Sequence, residues 1–498
     1  MASVTLYVSE PSPSVSQVST AYSNVLAHPE QFYQGSDIVW MITSSALVFI
    51  MIPALSLIYA GLGNRSFAMT LFRLPLITAA FVGFQWALWG YALTFTQSTL
   101  STNWWGGEMR AFALVDVLAR PVGSGDGISG TSIPELVYVI YEGMFASFTA
   151  AIVCGGTMQR ARPARFLIFI SLWSVLVYYP VARWSWYTDG WSKKLGIMDF
   201  AGGTPVHIVS GTTVATFSIF CSFEEHTSFG ESARAIRSML SEVVECFIEP
   251  WKERMEYSVE LYDILAFIVA MRRNKNSQQS NSHSDDENRD RIQGSAEADG
   301  LDDQEAIAQN TDHGATNGVI DGEVNDVPEG PRTPDQASTT PRMPESYSIN
   351  YVLLGTAILW FGWAGFNGGS ALGGNLRAVS AWASTHIAAC SGGTTAVILI
   401  WWQKKKARGS NALANKPFSN ITALYFCDGA IVGLVAITPG AGYVPVWSAT
   451  IFGALSTLFV NFLREPAKII LKHDPLHISL LHAGAGVVGM GLTGLFAR

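Results

Sequence analysis

Charge is what this chain has least of. Of 498 residues only 14% are Asp, Glu, Lys or Arg, where a soluble globular chain carries roughly 25%. That excludes an ordinary water-soluble enzyme over most of the length, and no nucleic-acid partner is expected. Cysteine is sparse too. The five (Cys154, Cys221, Cys246, Cys390, Cys427) are scattered, odd in number and without a CxxC pair. Such spacing indicates neither a zinc site nor a disulfide framework, so they read as small apolar packing residues. No metal, cofactor or catalytic group is implied. A basic leader is missing as well. Residues 1–36 are polar with no basic segment ahead of an apolar core, so no cleavable signal peptide is expected and the first apolar run directs insertion.

What the chain has in quantity is apolar surface: 49% hydrophobic residues, with 16 Trp and 27 Phe. A hydrocarbon core of about 30 Å needs about 20 apolar residues to cross it as a helix. Ten such runs are readable, near 38–61, 74–97, 134–157, 165–187, 199–222, 350–371, 379–402, 417–437, 443–463 and 475–497. The connections alternate in basic content. One set carries Arg65 and Arg73, then Arg160, Arg162 and Arg165, then Lys404, Lys405, Lys406 and Arg408, then Arg464, Lys468 and Lys472. By the positive-inside rule that set faces the cytoplasm, and both termini face outside.

The charge that exists is segregated. Residues 223–346 hold 26 acids and 11 bases, a net of −15, and the remainder carries +7. The organisation expected is an extracellular segment 1–37, a first membrane half 38–222, a cytoplasmic acidic insertion 223–349 and a second membrane half 350–498. Within the insertion, 231–273 reads as amphipathic helix interrupted by Pro250, and 274–346 as disordered. The break falls between two sets of five spans. Five is odd, so the second set runs through the bilayer in the opposite sense, a recurring transporter plan with the pathway at the interface.

One stretch is costly to keep in a membrane. Leu195–Ser210 places Asp199 at the mouth of a span, then a Gly-Gly pair, then His207 inside it. An ionisable residue in a span marks a functional site by default. His482 stands in a similar glycine-rich setting in the last span. At 1.5 Å per residue, His207 lies roughly 12 Å below the outer end of its span and His482 roughly 10 Å above the inner end of its own. The two therefore reach similar depth from opposite sides. Asp199 also reads as a helix N-cap, and the two histidines also read as satisfied core residues.

Seven blocks then resemble the ammonium transporters (Amt/Mep/Rh), most of all the fungal Mep permeases: 52–65, 85–91, 133–146, 197–208, 355–372, 436–445 and 482–496. The resemblance implies an all-α polytopic membrane protein, two inverted five-helix repeats around a central pore, and a homotrimer in the plasma membrane that carries ammonium. It implies an outer cation site at Tyr141, Phe145, Trp186 and Ser370 with Asp199 beneath it. It also implies a phenylalanine gate at Phe145 and Phe366, and a pore at His207, His482 and Trp363. Aromatic faces attract a small cation by about 0.5–2 kcal/mol, which suits such a site; an interfacial aromatic belt has the same composition. Neutral imidazoles, one donating and one accepting, suit a narrow pore.

The chain departs from the family pattern in places. Glu142 stands where most relatives have Gln, next to the gate, and is a candidate modifier of cation capture. Gln159 replaces a Glu, Asp428 replaces a small polar residue, and His477 replaces a usual acid. His386 has no family role and reads as packing. The family's eleventh span and cytoplasmic tail are missing from this reading, as if the chain were truncated at Arg498. The function expected is capture of ammonium outside and passage of ammonia plus a proton inward, with methylammonium as a related substrate and the 223–346 insertion as a surface for cytoplasmic regulators. An ammonium sensor with the insertion as output, and an inactive truncated paralogue, are the alternatives.

Overall fold

In hydrocarbon every backbone N–H and C=O must find a partner within the chain, so an apolar run crosses as a helix or in a closed barrel. A computed structural model describes residues 33–98, 104–123, 132–157, 162–224, 348–406 and 418–498, all within one folded unit. Among these residues nine helices are long and apolar enough to span: α1 (Gly35–Leu62), α2 (Ala68–Phe95), α3 (Glu135–Thr157), α4 (Pro163–Lys194), α5 (Gly203–Ser222), α6 (Ile349–Gly369), α7 (Leu376–Gln403), α8 (Asn420–Ile437) and α9 (Val446–Ile470). A shorter apolar helix, α10 (Leu480–Phe496), ends the chain. The fold is thus the expected all-α membrane class. The helix and disorder expected over 231–346, and Gln159, lie outside the described residues.

The helix ends differ from the apolar runs for identifiable reasons. α2 starts ahead of Arg73, because an exposed arginine need not end a helix; its Nε donates to Met69 O at 3.3 Å. α9 likewise runs on through Arg464 and Pro466. α10 starts later than expected because Asp474 to Ser479 form its cap. One feature outside the helical reading is a short antiparallel ribbon, β1 (Pro121–Gly123) with β2 (Ser132–Pro134), which leads into α3.

Lipid offers no hydrophobic drive between helices, so they associate by close packing, which favours small residues. The most extensive helix pair is α1 with α6. There a Cβ on Gly355 would lie 2.7 Å from Ala54 O, and one on Gly362 would lie 2.3 Å from Met51 Cγ and 2.5 Å from Leu47 O. Outward-facing side chains on α1, α2, α4 and α6, including Ile42, Phe84, Leu172 and Phe361, are apolar and exposed, the surface a lipid bilayer covers.

The start of α3 is locked from outside its own helix. Arg110 donates from Nη1 to both Glu135 oxygens at 2.9 Å and from Nε to Glu108 at 2.7 Å. The Tyr91 hydroxyl donates to the same Glu135 at 2.8 Å. Glu135 is 2% exposed, and a buried carboxylate is tolerable only when paired and hydrogen-bonded in this way. Two turns further along the same face stands Glu142.

The α1–α6 packing gives a direct test. Gly362→Leu is expected to lower stability by about 1–3 kcal/mol through overpacking, read as a lower unfolding temperature in detergent. Gly491→Ala, where a Cβ meets nothing within 4 Å, is expected to leave it unchanged.

Candidate functional site

Two histidines cannot meet inside a bundle unless their helices approach closely. α5 and α10 do so at glycine. A Cβ on Gly211 would sit 2.4 Å from Ala483 N, and one on Gly486 would sit 3.0 Å from the Ile208 side chain. Both helices also carry a π-helical turn at that level, Gly203–Ile208 and Leu480–Gly484, and each turn contains the histidine. A π turn inserts a residue and re-aims the side chains on it, and such turns recur at functional sites. The result is His207 Nδ1 at 3.1 Å from His482 Nδ1, with both rings buried.

A hydrogen bond between two imidazole Nδ1 atoms needs one proton between them. One ring therefore carries its hydrogen on Nδ1, and the other, if neutral, on Nε2. The pair then turns one N–H donor and one lone pair to its surroundings. His207 Nε2 is buried without a hydrogen-bond partner.

Rings continue the file outward. His207 stacks on Trp363, with centroids 5.3 Å apart and planes at 19°. The Trp363 indole is fixed by donating to Thr438 Oγ1 at 3.0 Å. Phe366 lies 5.4 Å from Trp363 and 6.0 Å from His207. Phe145 stacks on Phe366 at 4.1 Å. Trp186 meets Phe145 edge-on at 5.9 Å, and its indole donates to Asp199 O at 3.1 Å. Beyond Phe145 a cavity of about 110 Å³ is lined by Tyr138, Glu142, Phe145, Trp186, Asp199 and Ser370, with Lys193, Phe200, Arg377 and Tyr443 among its other walls.

The expected residues are therefore brought together, with distinct positions. Tyr141 stands behind the cavity wall. It is fully buried, 4.9 Å from Phe145, and its hydroxyl donates to Phe366 O at 2.6 Å and lies 3.2 Å from Ser370 Oγ. Asp199 faces the cavity, but its oxygens are engaged. Oδ1 accepts from Gly202 N and Gly203 N at 2.8 and 2.7 Å, and Oδ2 from Thr204 N at 2.7 Å. Gly202 takes φ of +108° there, in the left-handed region that glycine adopts without strain. His386 is elsewhere, exposed on α7 beside Trp360 at 5.3 Å.

One residue escaped the sequence reading. Asp474 is 2% exposed and accepts from Ile478 N at 3.0 Å and Ser479 N at 2.8 Å, with the Ser479 hydroxyl on the same carboxylate. It does for α10 what Asp199 does for α5. A signal was present in the spacing: each aspartate precedes its histidine by eight residues, Asp199 to His207 and Asp474 to His482.

Apolar helices packed around a buried file of aromatic and imidazole rings define a polytopic helical membrane protein. The chain belongs to the Ammonium Transporter Family, whose sequence model matches residues 39–235 and 327–498. Members of that family are transporters and not enzymes. The chain is 32% identical over 467 residues to ammonium transporter 1 of Schizosaccharomyces pombe, covering 94% of this chain and 67% of that one. It is 28% identical to ammonium transporter MEP2 of Saccharomyces cerevisiae, covering 92% and 66%. It therefore spans about two thirds of the length of these relatives. The crystal structure of Candida albicans Mep2 superposes with a TM-score of 0.62 at 28% identity, covering 94% of this chain and 74% of that one.

The two aspartate caps are expected to be of comparable weight. Asp199→Asn or Asp474→Asn turns an NH2 toward a backbone N–H that now donates to oxygen, leaving a buried donor unsatisfied at about 1–3 kcal/mol. Thermal unfolding of each purified variant in detergent should show a lowered midpoint for both.

Proposed function

We propose that the chain is an ammonium transporter of the plasma membrane, working as a homotrimer with one pore in each subunit and carrying net positive charge inward. The observation that carries this reading is the continuous file from the outer cavity through Phe145 and Phe366 to Trp363, His207 and His482. Two membrane halves of opposite sense account for it. First packs on first (α1 with α6) and last on last (α5 with α10), and the aspartate-to-histidine spacing recurs in both. The 223–349 insertion between them belongs to the cytoplasm and is the place for regulators.

The steps follow from the geometry. Ammonium enters the outer cavity, where the faces of Trp186 and Phe145 replace part of its hydration by cation–π attraction and Ser370 offers a hydroxyl oxygen. Asp199, whose oxygens are held by backbone N–H groups, adds a fixed negative charge to the wall. The Phe145–Phe366 stack at 4.1 Å leaves no room for a hydrated ion. Ammonium therefore parts into ammonia and a proton at this level. Ammonia, a donor and acceptor both, moves along the rings to the histidine pair, which meets it with one N–H and one lone pair. The proton crosses by relay. It adds to the free Nε2 of one ring, the bridging proton shifts from Nδ1 to Nδ1, and the second ring releases its Nε2 proton inward. One relay leaves the tautomers exchanged. Ammonia and proton recombine inside, so one positive charge is moved per ammonium.

The test is electrical. In voltage-clamped cells expressing the full chain, ammonium should evoke an inward current. His207→Ala should reduce that current by at least tenfold at equal surface expression, since it removes one end of the relay. A surface-resident wild-type chain that passes neither current nor labelled methylammonium would overturn the reading.

A further inference from the structure

Glu142 is the feature that neither the fold nor the pathway explains. It sits in α3, one helical turn above Phe145, and is 7% exposed. Its side chain lines the outer cavity. Its Oε2 is buried and accepts no hydrogen bond, while the Tyr138 hydroxyl lies beside the carboxyl group. A carboxylate inside a spanning helix is costly to bury unless something pairs with it. The neighbouring Glu135 shows how the same helix handles a structural acid: it is surrounded by Arg110 and Tyr91 at 2.8–2.9 Å. Glu142 has no such arrangement.

The other charged groups of the cavity wall are Asp199, Lys193 and Arg377. Both Asp199 oxygens are committed to the backbone of Gly202, Gly203 and Thr204. Lys193 belongs to the last turn of α4, and the Arg377 guanidinium lies 5.7 Å from the Tyr443 ring. Ser370 donates its hydroxyl to Phe366 O at 3.0 Å. Of the two carboxylates that line the cavity, Asp199 is held on both oxygens by backbone N–H groups, whereas Glu142 keeps a buried oxygen, Oε2, without a hydrogen-bond partner. The Glu142 side chain lines the same space as the Trp186 and Phe145 rings, next to the Phe145–Phe366 stack.

We propose that Glu142 is a specificity-determining cation ligand. Its free oxygen accepts an N–H from ammonium and pairs with its charge, so this chain's outer site is an ionic one with an aromatic wall. The proposal rests on the ammonium-transporter reading and adds to it the group that sets affinity. A carboxylate attracts cations by charge, which rings do weakly. The site should consequently also hold other small monovalent cations, potassium and methylammonium among them, as competitors at the cavity even where the gate does not pass them.

The experiment compares wild type with E142Q, which keeps shape and removes charge. Labelled methylammonium uptake and ammonium-evoked current are measured in the same cells, normalised to surface protein. Quenching of tryptophan fluorescence by ammonium chloride is measured on the purified chain, with Trp186 as the reporter. E142Q is expected to raise KM for ammonium tenfold or more, keep kcat within about twofold, and weaken potassium inhibition by a similar factor. A KM within twofold of wild type overturns the proposal, and so does a fall in kcat with potassium inhibition unchanged, because a merely structural role would produce that pattern. Should E142Q not reach the membrane, E142D, which draws the charge back by one methylene, is expected to raise KM about threefold, and an unchanged KM there overturns the proposal. If the wild-type chain itself neither quenches nor transports, the transporter reading has failed instead.

Discussion

The hydrogen bond between His207 and His482 is the constraint on which the rest of the structure turns. Two imidazoles buried in a helical bundle must be satisfied by each other or by something that passes. Their 3.1 Å contact goes with a close approach of α5 and α10, which glycine at 211 permits: a Cβ there would lie 2.4 Å from Ala483 N. It also fixes the rotation of each helix, which the π turns supply. A π turn costs backbone regularity, and here each follows directly on an aspartate that gathers the loose N–H groups of the helix start. The caps, the turns and the close-packed glycine are one solution to one requirement, with a cap and a turn on each of the two helices.

The symmetry stops at the outer cavity. Asp199 opens onto a space walled by Trp186, Phe145 and Tyr443. Asp474 is 2% exposed, with the Ser479 hydroxyl on its carboxylate. The shared element is therefore the histidine and its cap, while the ring stack and Glu142 belong to one end alone. In the transport mechanism proposed above, this asymmetry makes the walled cavity the loading end.

Much of this was legible in the chain. Length and hydropathy gave the helices, because in lipid an apolar run of about 20 residues has few alternatives to helix. The histidines announced themselves as ionisable groups at matching depth. The cavity's outer residues did not. Tyr138, Phe200, Arg377 and Tyr443 come from four separate parts of the chain and converge only after folding, so nothing in their local spacing marks them. Asp474 lies one residue outside the apolar run 475–497, beside Lys472 and His473, where a charged residue is unremarkable. Its distance from His482, matched against Asp199 and His207, was the available clue. The Tyr141 hydroxyl, which the family resemblance puts at the outer cation site, donates to Phe366 O and lies beside Ser370, partners that no local spacing in the sequence marks.

Asp428 and His477 looked like two unrelated departures from the family pattern, and the structure makes them one. The Asp428 carboxylate pairs with Arg464 at 2.8 Å, with the Arg464 guanidinium 5.2 Å from the Tyr425 ring. His477, in the cap of α10, is within electrostatic reach of both Asp428 and Arg464. Arg464 is largely buried, its side chain 11% exposed, and breaking such a pair from one side leaves an uncompensated charge that costs about 3–5 kcal/mol. An arginine in that position needs an acid nearby, and which helix supplies it is secondary. The largely buried Arg464 therefore depends on an acid supplied by another helix, and the ion pair ties α9 to α8.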